Sequence, residues 1–209
     1  MSLGGPGLDA VEQAAIDYAI AQGVIIVASA GNGGNARMGY PGAYAPVISV
    51  AASGWINEWQ GQRINDSLPT YYRFWWHTID DPEATNPDNY YIVDFSSREL
   101  ADQDLDVAAP GSWVVGPYNV NSGQTSYYFL GGTSMASPHV AGTVALMAQK
   151  DPTLTASAAE GILESTAIYL APGNMTVLNP DGSTKNYSWG ADATGAGLLD
   201  AAAALDAIP

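Results

Sequence analysis

The eleven residues Gly132-Thr133-Ser134-Met135-Ala136-Ser137-Pro138-His139-Val140-Ala141-Gly142 carry a hydroxyl in a setting suited to nucleophilic attack. The aromatic run Tyr127-Tyr128-Phe129-Leu130 before them reads as a strand, and Gly131-Gly132 breaks it. Val140, Val144 and Met147 then share one face at helical spacing. Ser134 therefore falls where a strand ends and a helix begins. There, free N–H groups and the positive end of the helix dipole favour a developing negative charge. Small residues at Gly131, Gly132, Ala136 and Gly142 leave room for another backbone to approach. A Thr-Ser pair before an apolar helix also serves plainly as an N-cap, and the strand-to-helix geometry alone favours that plainer use.

A neutral serine needs a base, normally a histidine oriented by a carboxylate. The chain has two histidines, His77 and His139, and neither has spacing that pairs it with Ser134. A second stretch of interest is Ser29-Ala30-Gly31-Asn32-Gly33-Gly34-Asn35, where Asn-Gly after a strand ordinarily marks a turn.

The elements around these residues alternate helix and strand. Leu8 to Gln22 is expected to be a helix, with Asp9 as N-cap, Glu12 completing a capping box and Gly23 as the stop. Its buried stripe is expected at Val11, Ala15, Tyr18 and Ala19. Val24-Ile25-Ile26-Val27-Ala28 and Val47-Ile48-Ser49-Val50-Ala51 read as strands of a parallel sheet covered on both faces. Strands are also expected at Trp113-Val114-Val115 and from Ser126 to Leu130, and helices from Ser134 to Lys150 and from Ala156 to Ala167. Thr155 caps the latter, and Asn179-Pro180-Asp181-Gly182 is a turn.

The 209 residues amount to one domain with 47% hydrophobic and 13% charged positions, a folded globular composition. A net charge of −15 argues against nucleic acid and anionic membranes as partners. Without cysteine there is no disulfide or thiolate metal site, and no apolar run is long enough to span a bilayer.

The serine-bearing string closely resembles the serine motif of the subtilisin-like proteases, the subtilases. It does not fit the α/β-hydrolase elbow, since Ala136 stands where that motif has Gly. The resemblance begins at residue 2 and recurs in Ala30-Gly31-Asn32, in Gly39-Tyr40-Pro41-Gly42-Ala43-Tyr44, in Leu105-Asp106-Val107-Ala108-Ala109-Pro110-Gly111 and in Gly195-Ala196-Gly197-Leu198-Leu199-Asp200-Ala201. It implies a serine endopeptidase working through an acyl-enzyme on Ser134, with Asn32 and the Ser134 backbone N–H holding the oxyanion. His139 is implied only as the motif's structural histidine. Substrate contacts are implied at Ser2, Leu3 and Gly4, which would pair with the peptide as a strand, and at Ser29, Ala30 and Gly31. Gly39 would line the base of the pocket, and the Tyr40–Pro41 bond would be cis. The chemistry itself would need no cofactor. Calcium is implied as a structural ion, at a weak site of backbone carbonyls near Gly42, Tyr44 and Val47.

The implied fold is α/β: a subtilisin-like three-layer α/β/α arrangement with a parallel sheet drawn from residues 2–5, 24–30, 47–52 and 105–108. In this family the triad carboxylate and base precede the serine, in Asp-(Ser/Thr)-Gly and His-Gly-Thr motifs. Neither string occurs in the chain. Residues 1–209 are therefore expected to form the carboxyl-terminal part of a subtilase catalytic domain, incomplete at its N-terminal side and inactive alone. The expected partners are a polypeptide substrate and the missing N-terminal part. Secretion is implied by resemblance, although no signal peptide opens the chain. A noncatalytic peptide-binding or structural fragment is the alternative class.

Residues 54–94 interrupt the family pattern with an aromatic-rich insertion containing Trp55, Trp59, Trp75, Trp76 and His77, with acids at Asp80, Asp81, Glu83 and Asp88. Clustered aromatics serve packing first, so a small satellite core is the favoured reading. A substrate or carbohydrate platform and a calcium loop are the others. The Asn-X-Ser/Thr triplets at Asn65, Asn174 and Asn186 are read as chance matches.

Overall fold

The structure, a computed structural model, describes residues 1–59, 84–121 and 124–208. Trp75, Trp76, His77, Asn65 and the acids Asp80, Asp81 and Glu83 lie outside the described residues. The long strand β2 (Ile48–Trp55) is the spine of the main sheet. β1 (Val27–Ser29) pairs with it in parallel from Val27↔Ile48 to Ser29↔Val50. β4 (Val107–Pro110) pairs in parallel from Val50↔Val107 to Ser53↔Pro110. β3 (Tyr90–Ile92) runs antiparallel to the far end of β2, with Trp55↔Tyr90 and Ser53↔Ile92 in register. Val50 is shared by β1 and β4, and Ser53 by β3 and β4. β1 and β3 therefore occupy successive halves of one edge of β2, and β4 takes the other.

Strand alternation puts helices on both faces. Val27, Ile48, Val50 and Ala52 join the core with Val140, Val144 and Met147 of α2 (Thr133–Lys150). Their neighbours Ala28 and Val47 pack with Ile16 of α1 (Ala10–Ala21). The result is the three-layer α/β/α arrangement. α3 (Ala156–Thr166) inserts Leu163 and α4 (Ala201–Asp206) inserts Ala204 into the same core as α2. Two hairpins complete the described chain: β5 (Val114–Asn121) with β6 (Gln124–Leu130), and β7 (Gly173–Leu178) with β8 (Thr184–Trp189). Among the described residues no helix is long and apolar enough to cross a membrane.

Asp9 caps α1 as expected, accepting from the N–H groups of Val11 and Glu12 at 2.8 Å. The expected buried stripe of α1 is wrong. Val11 is 80% and Tyr18 68% exposed, while Ile16 is buried and Ile20 packs beside it. Apolar side chains occur all round this helix, so periodicity gave two candidate faces. The seat offered by Ala28 and Val47 selects the one with the isoleucines.

The expected run 24–30 also shortens to a three-residue strand. After Gly23, at φ 83°, the Val24 N–H turns back to Ala19 O at 3.1 Å, which leaves Val24 half exposed. Residues 2–5 are not a regular strand. The start of the chain meets β1 through Ser29 N–H to Met1 O at 3.0 Å and the Ser29 hydroxyl to Leu3 O at 3.4 Å, while Gly5 makes a single bridge to Tyr40, outside β1.

At Gly54, Tyr91 lies directly over the Cα: an added Cβ would come 2.3 Å from the Tyr91 ring, and that tyrosine is fully buried. Gly54→Ala is therefore expected to cost about 1–3 kcal/mol by overpacking, read as a lower urea midpoint at unchanged slope.

Candidate active site

Ser134 stands in the first turn of α2, whose N-cap is Gly132. Pro138, inside this helix, has no N–H to offer the Ser134 carbonyl four residues back. That carbonyl instead accepts the Ser2 hydroxyl at 2.7 Å, while the Ser134 hydroxyl points to Ser2 O at 3.5 Å. The proline thus frees the atom that ties the extended N-terminal segment to the serine.

Asn32 follows β1 and its loop meets the same helix start. Its Oδ1 accepts both the Thr133 N–H at 2.9 Å and the Thr133 hydroxyl at 3.0 Å. Because a backbone N–H can only donate, this settles which end of the amide is oxygen. The Nδ2 end is the one left to act as a donor, and it lies 3.7 Å from where a Cβ on Gly132 would sit. Thr133 is fully buried and also accepts the Gly31 N–H at 3.1 Å, so one hydroxyl orients both the amide and its loop. Sequence reasoning did not single out Thr133, although its position next to the serine was a usable signal. Thr133→Val is expected to lower stability by about 1–3 kcal/mol, because Gly31 N–H and Asn32 Oδ1 lose a buried partner. Thr133→Ser, which keeps the hydroxyl, should retain most of it. Paired urea unfolding curves check this.

Leu3, Gly4, Ser29, Gly31, Asn32, Gly39 and Ser134 all line one cleft of ≈ 460 Å³, together with Arg37, Met38 and Ser97. Of the other expected substrate residues, Ser2 lies beside the serine, as above. Ala30 is fully buried, with its N–H on Val50 O at 3.0 Å and its carbonyl accepting Gly39 N–H at 2.9 Å. Gly31, at φ 109°, could not carry a side chain: a Cβ there would meet Ser97 Oγ at 2.9 Å. Gln103 holds the pocket wall from behind, accepting Met38 N–H at 3.0 Å and donating to Met38 O at 3.1 Å. Arg37 at the rim is held by Asp102 at 2.8 Å. These positioning roles join residues some 65 apart in sequence, so spacing could not reveal them. The Tyr40–Pro41 bond is cis.

His139 is exposed on α2, its Nδ1 2.8 Å from Met135 O one turn back, so it is tied to its own helix and not to Ser134. Among the described residues no imidazole contacts the Ser134 hydroxyl; His77 lies outside them. At the expected cation site, Val47 N–H donates to Tyr44 O at 2.8 Å and Ala43 N–H to Gly39 O at 2.9 Å. The turn thus already engages one of the three carbonyls internally. A separate group of carboxylates, Asp106, Glu160 and Glu164, has ligand atoms within 4.8 Å of one another. Burial pushes Asp106 up to about 7, against the opposing effect of its bonds from Ser49.

The sequence pattern of the Subtilase family matches residues 1–190. The chain belongs to the subtilase family. It is 37% identical to subtilisin DY of Bacillus licheniformis over 174 residues, which are 81% of this subtilase and 49% of that protein. It is 32% identical to thermitase of Thermoactinomyces vulgaris over 167 residues, 80% of this chain and 45% of that one. It thus spans about half the length of these relatives. Among solved structures it is similar to a protease of Pseudoalteromonas arctica PAMC 21717, with a TM-score of 0.67 at 27% identity over 100% of this chain and 50% of that one. Fervidolysin of Fervidobacterium pennivorans, a keratinolytic enzyme related to subtilisin, gives 0.62 at 27% identity over 99% of this chain and 26% of that one. The fold of this subtilase is accordingly subtilisin-like α/β.

Proposed function

We propose that the chain is the nucleophile-bearing part of a subtilisin-like serine endopeptidase. Peptide-bond hydrolysis would run through an acyl-enzyme on Ser134, and no cofactor would enter the chemistry. The observation that carries this reading is the Asn32 amide, locked by Thr133 beside Ser134 at the edge of a glycine-lined cleft. A neutral, preoriented donor beside an exposed hydroxyl is the arrangement a tetrahedral oxyanion needs. The Ser134 N–H, in the first turn where helical partners are lacking, would be the second donor. The peptide would lie along residues 2–4, and Gly39 would form the floor of the pocket.

The base and its carboxylate would come from an Asp- and His-bearing subtilase segment outside these 209 residues, so the chain alone would not turn over. By kinship the whole enzyme would be secreted and act on polypeptides. Calcium at the Gly42, Tyr44 and Val47 carbonyls would serve only as structural support. The test is a peptide anilide assay with that segment supplied in trans. Hydrolysis that disappears in Ser134→Ala supports the reading, and no hydrolysis despite a formed complex overturns it.

One observation favours a noncatalytic peptide-binding fragment instead: no described imidazole reaches Ser134. Peptide binding in the cleft without hydrolysis in the complemented protein would decide for it.

A further inference from the structure

We propose that Glu58 and Trp59, in the turn that opens residues 54–94, are positioning residues for the segment that delivers Ser134. This rests on the peptidase reading above, but the contacts that carry it do not.

Glu58 is a buried carboxylate, 3% exposed. Its Oε1 accepts the Trp55 N–H at 3.3 Å and its Oε2 accepts the Ser112 hydroxyl at 3.3 Å. Ser112 shares a second hydrogen bond, 2.9 Å long, with the hydroxyl of the fully buried Tyr91. The N–H groups of Gly111 and Ser112 both close on Ser53 O, at 2.8 and 3.0 Å. Gly111 O in turn accepts the Gly132 N–H at 2.8 Å. Gly132 is the N-cap of α2, and Thr133 and Ser134 follow it. The path from Glu58 to the serine is therefore continuous: carboxylate, Ser112, the 111–112 turn, then Gly132.

Trp59 grips the same turn from the apolar side. It is 5% exposed, and its ring meets Trp113 edge-on at 5.4 Å and Phe129 at 5.2 Å. Trp113 holds φ 49°, the one positive-φ residue other than glycine among the described residues. A bulky residue in that region is strained and persists only where its surroundings fix it. Here the Trp59 ring and the bonds of its neighbour Ser112 are among the fixing groups. Phe129 lies on β6, three residues before Gly132, so Trp59 touches both approaches to the serine turn. Gly111 adds that the turn has no slack: a Cβ there would come 2.5 Å from Ala52 Cβ and 2.9 Å from Gly132 O.

The test reads positioning without catalysis, so it stands whether or not the chain proves to belong to a peptidase. Residue-resolved amide hydrogen exchange is measured on the chain itself, comparing Gly132 with Ala108. The Ala108 N–H bonds to Gly197 O at 2.8 Å and takes no part in the bonds that link Glu58 to Gly132. Glu58→Gln and Trp59→Ala are expected to speed exchange at Gly132 about tenfold with Ala108 unchanged, as local opening does. They should also shift the Asn32 side-chain amide resonance, and Trp59→Phe should restore both. Equal acceleration at Gly132 and Ala108 would mean general destabilisation and would overturn the proposal. So would no change at either. If Trp59→Ala does not fold, the isosteric Glu58→Gln gives the decision.

Discussion

Between about pH 4 and about pH 8 the unfolding free energy is expected to fall by about 4 kcal/mol, and Asp106→Asn should remove most of that fall. Asp106 precedes β4 and is buried, with its Oδ2 accepting the Ser49 N–H at 2.5 Å and the Ser49 hydroxyl at 2.7 Å. Burial is the largest influence and raises its pKa from 3.8 to about 7; the Ser49 bonds work the other way, and Glu160 and Asp104 raise it further. The groups facing it are thus Ser49 on β2, Asp104 beside it, and Glu160 and Glu164 on α3, with no cation among them.

The sign follows from which state keeps the proton. Below the unfolded value both states are protonated and the group contributes nothing. Above it the unfolded chain releases the proton while the folded one retains it, so folding loses free energy until the folded carboxyl also ionises near 7. Glu160 and Glu164, also raised chiefly by burial, push the same way but are more exposed and count for less. Urea unfolding across this range, with Asp106→Asn alongside, measures the effect. Parallel slopes in the two proteins would show that the carboxyl is not held protonated.

The residues proposed to do chemistry were legible because they sit inside contiguous strings. Ser134 with its helix, Asn32 after its strand and the cis Tyr40–Pro41 bond all come from runs whose order is itself the signal. The face of α2 was equally plain, since Val140, Val144 and Met147 repeat with the helix and are buried. What could not be read was set by contacts far apart in the chain. α1 offered two apolar faces, and only the seat at Ala28 and Val47 chooses between them. Thr133, Gln103, Ser112 and Glu58 are ordinary polar residues in sequence, and become supports only when partners 54 to 101 positions away arrive beside them. The Asp106 shift likewise comes chiefly from burial in the folded chain, with Glu160 from another element adding to it. Residues 54–94 show both sides. The pairing of β2 with β3 returns the chain where it left, and Trp59 is a packing residue, while three of the four acids of the alternative calcium-loop reading, Asp80, Asp81 and Glu83, fall outside the described residues.

The second large effect concerns the reactivity of Ser134. Its hydroxyl has a 3.5 Å contact to the Ser2 carbonyl, which cannot take a proton, and His139 is held by its own helix. Among the described residues no base reaches it, so on the proposed reading attack on an electrophile would proceed from the neutral hydroxyl. Providing a positioned base accelerates such a step by about 10²–10⁴. The proposed oxyanion donors would not substitute for it, because they act on charge that develops during attack and take no proton. Adding an Asp- and His-bearing subtilase segment is therefore expected to raise the reactivity of Ser134 by at least two orders of magnitude. The same addition to Asn32→Leu should give a smaller gain, since the base is restored but the amide donor is not.

The most direct measurement is the rate at which a fluorophosphonate probe adds to Ser134, followed by mass spectrometry of the intact chain and located by peptide mapping. The predicted result is negligible adduct in the pure 209-residue chain and rapid, stoichiometric adduct at Ser134 once the segment is supplied. Rapid labelling of Ser134 in the pure chain, absent in Ser134→Ala, would contradict it, because a base would then have to lie within these residues.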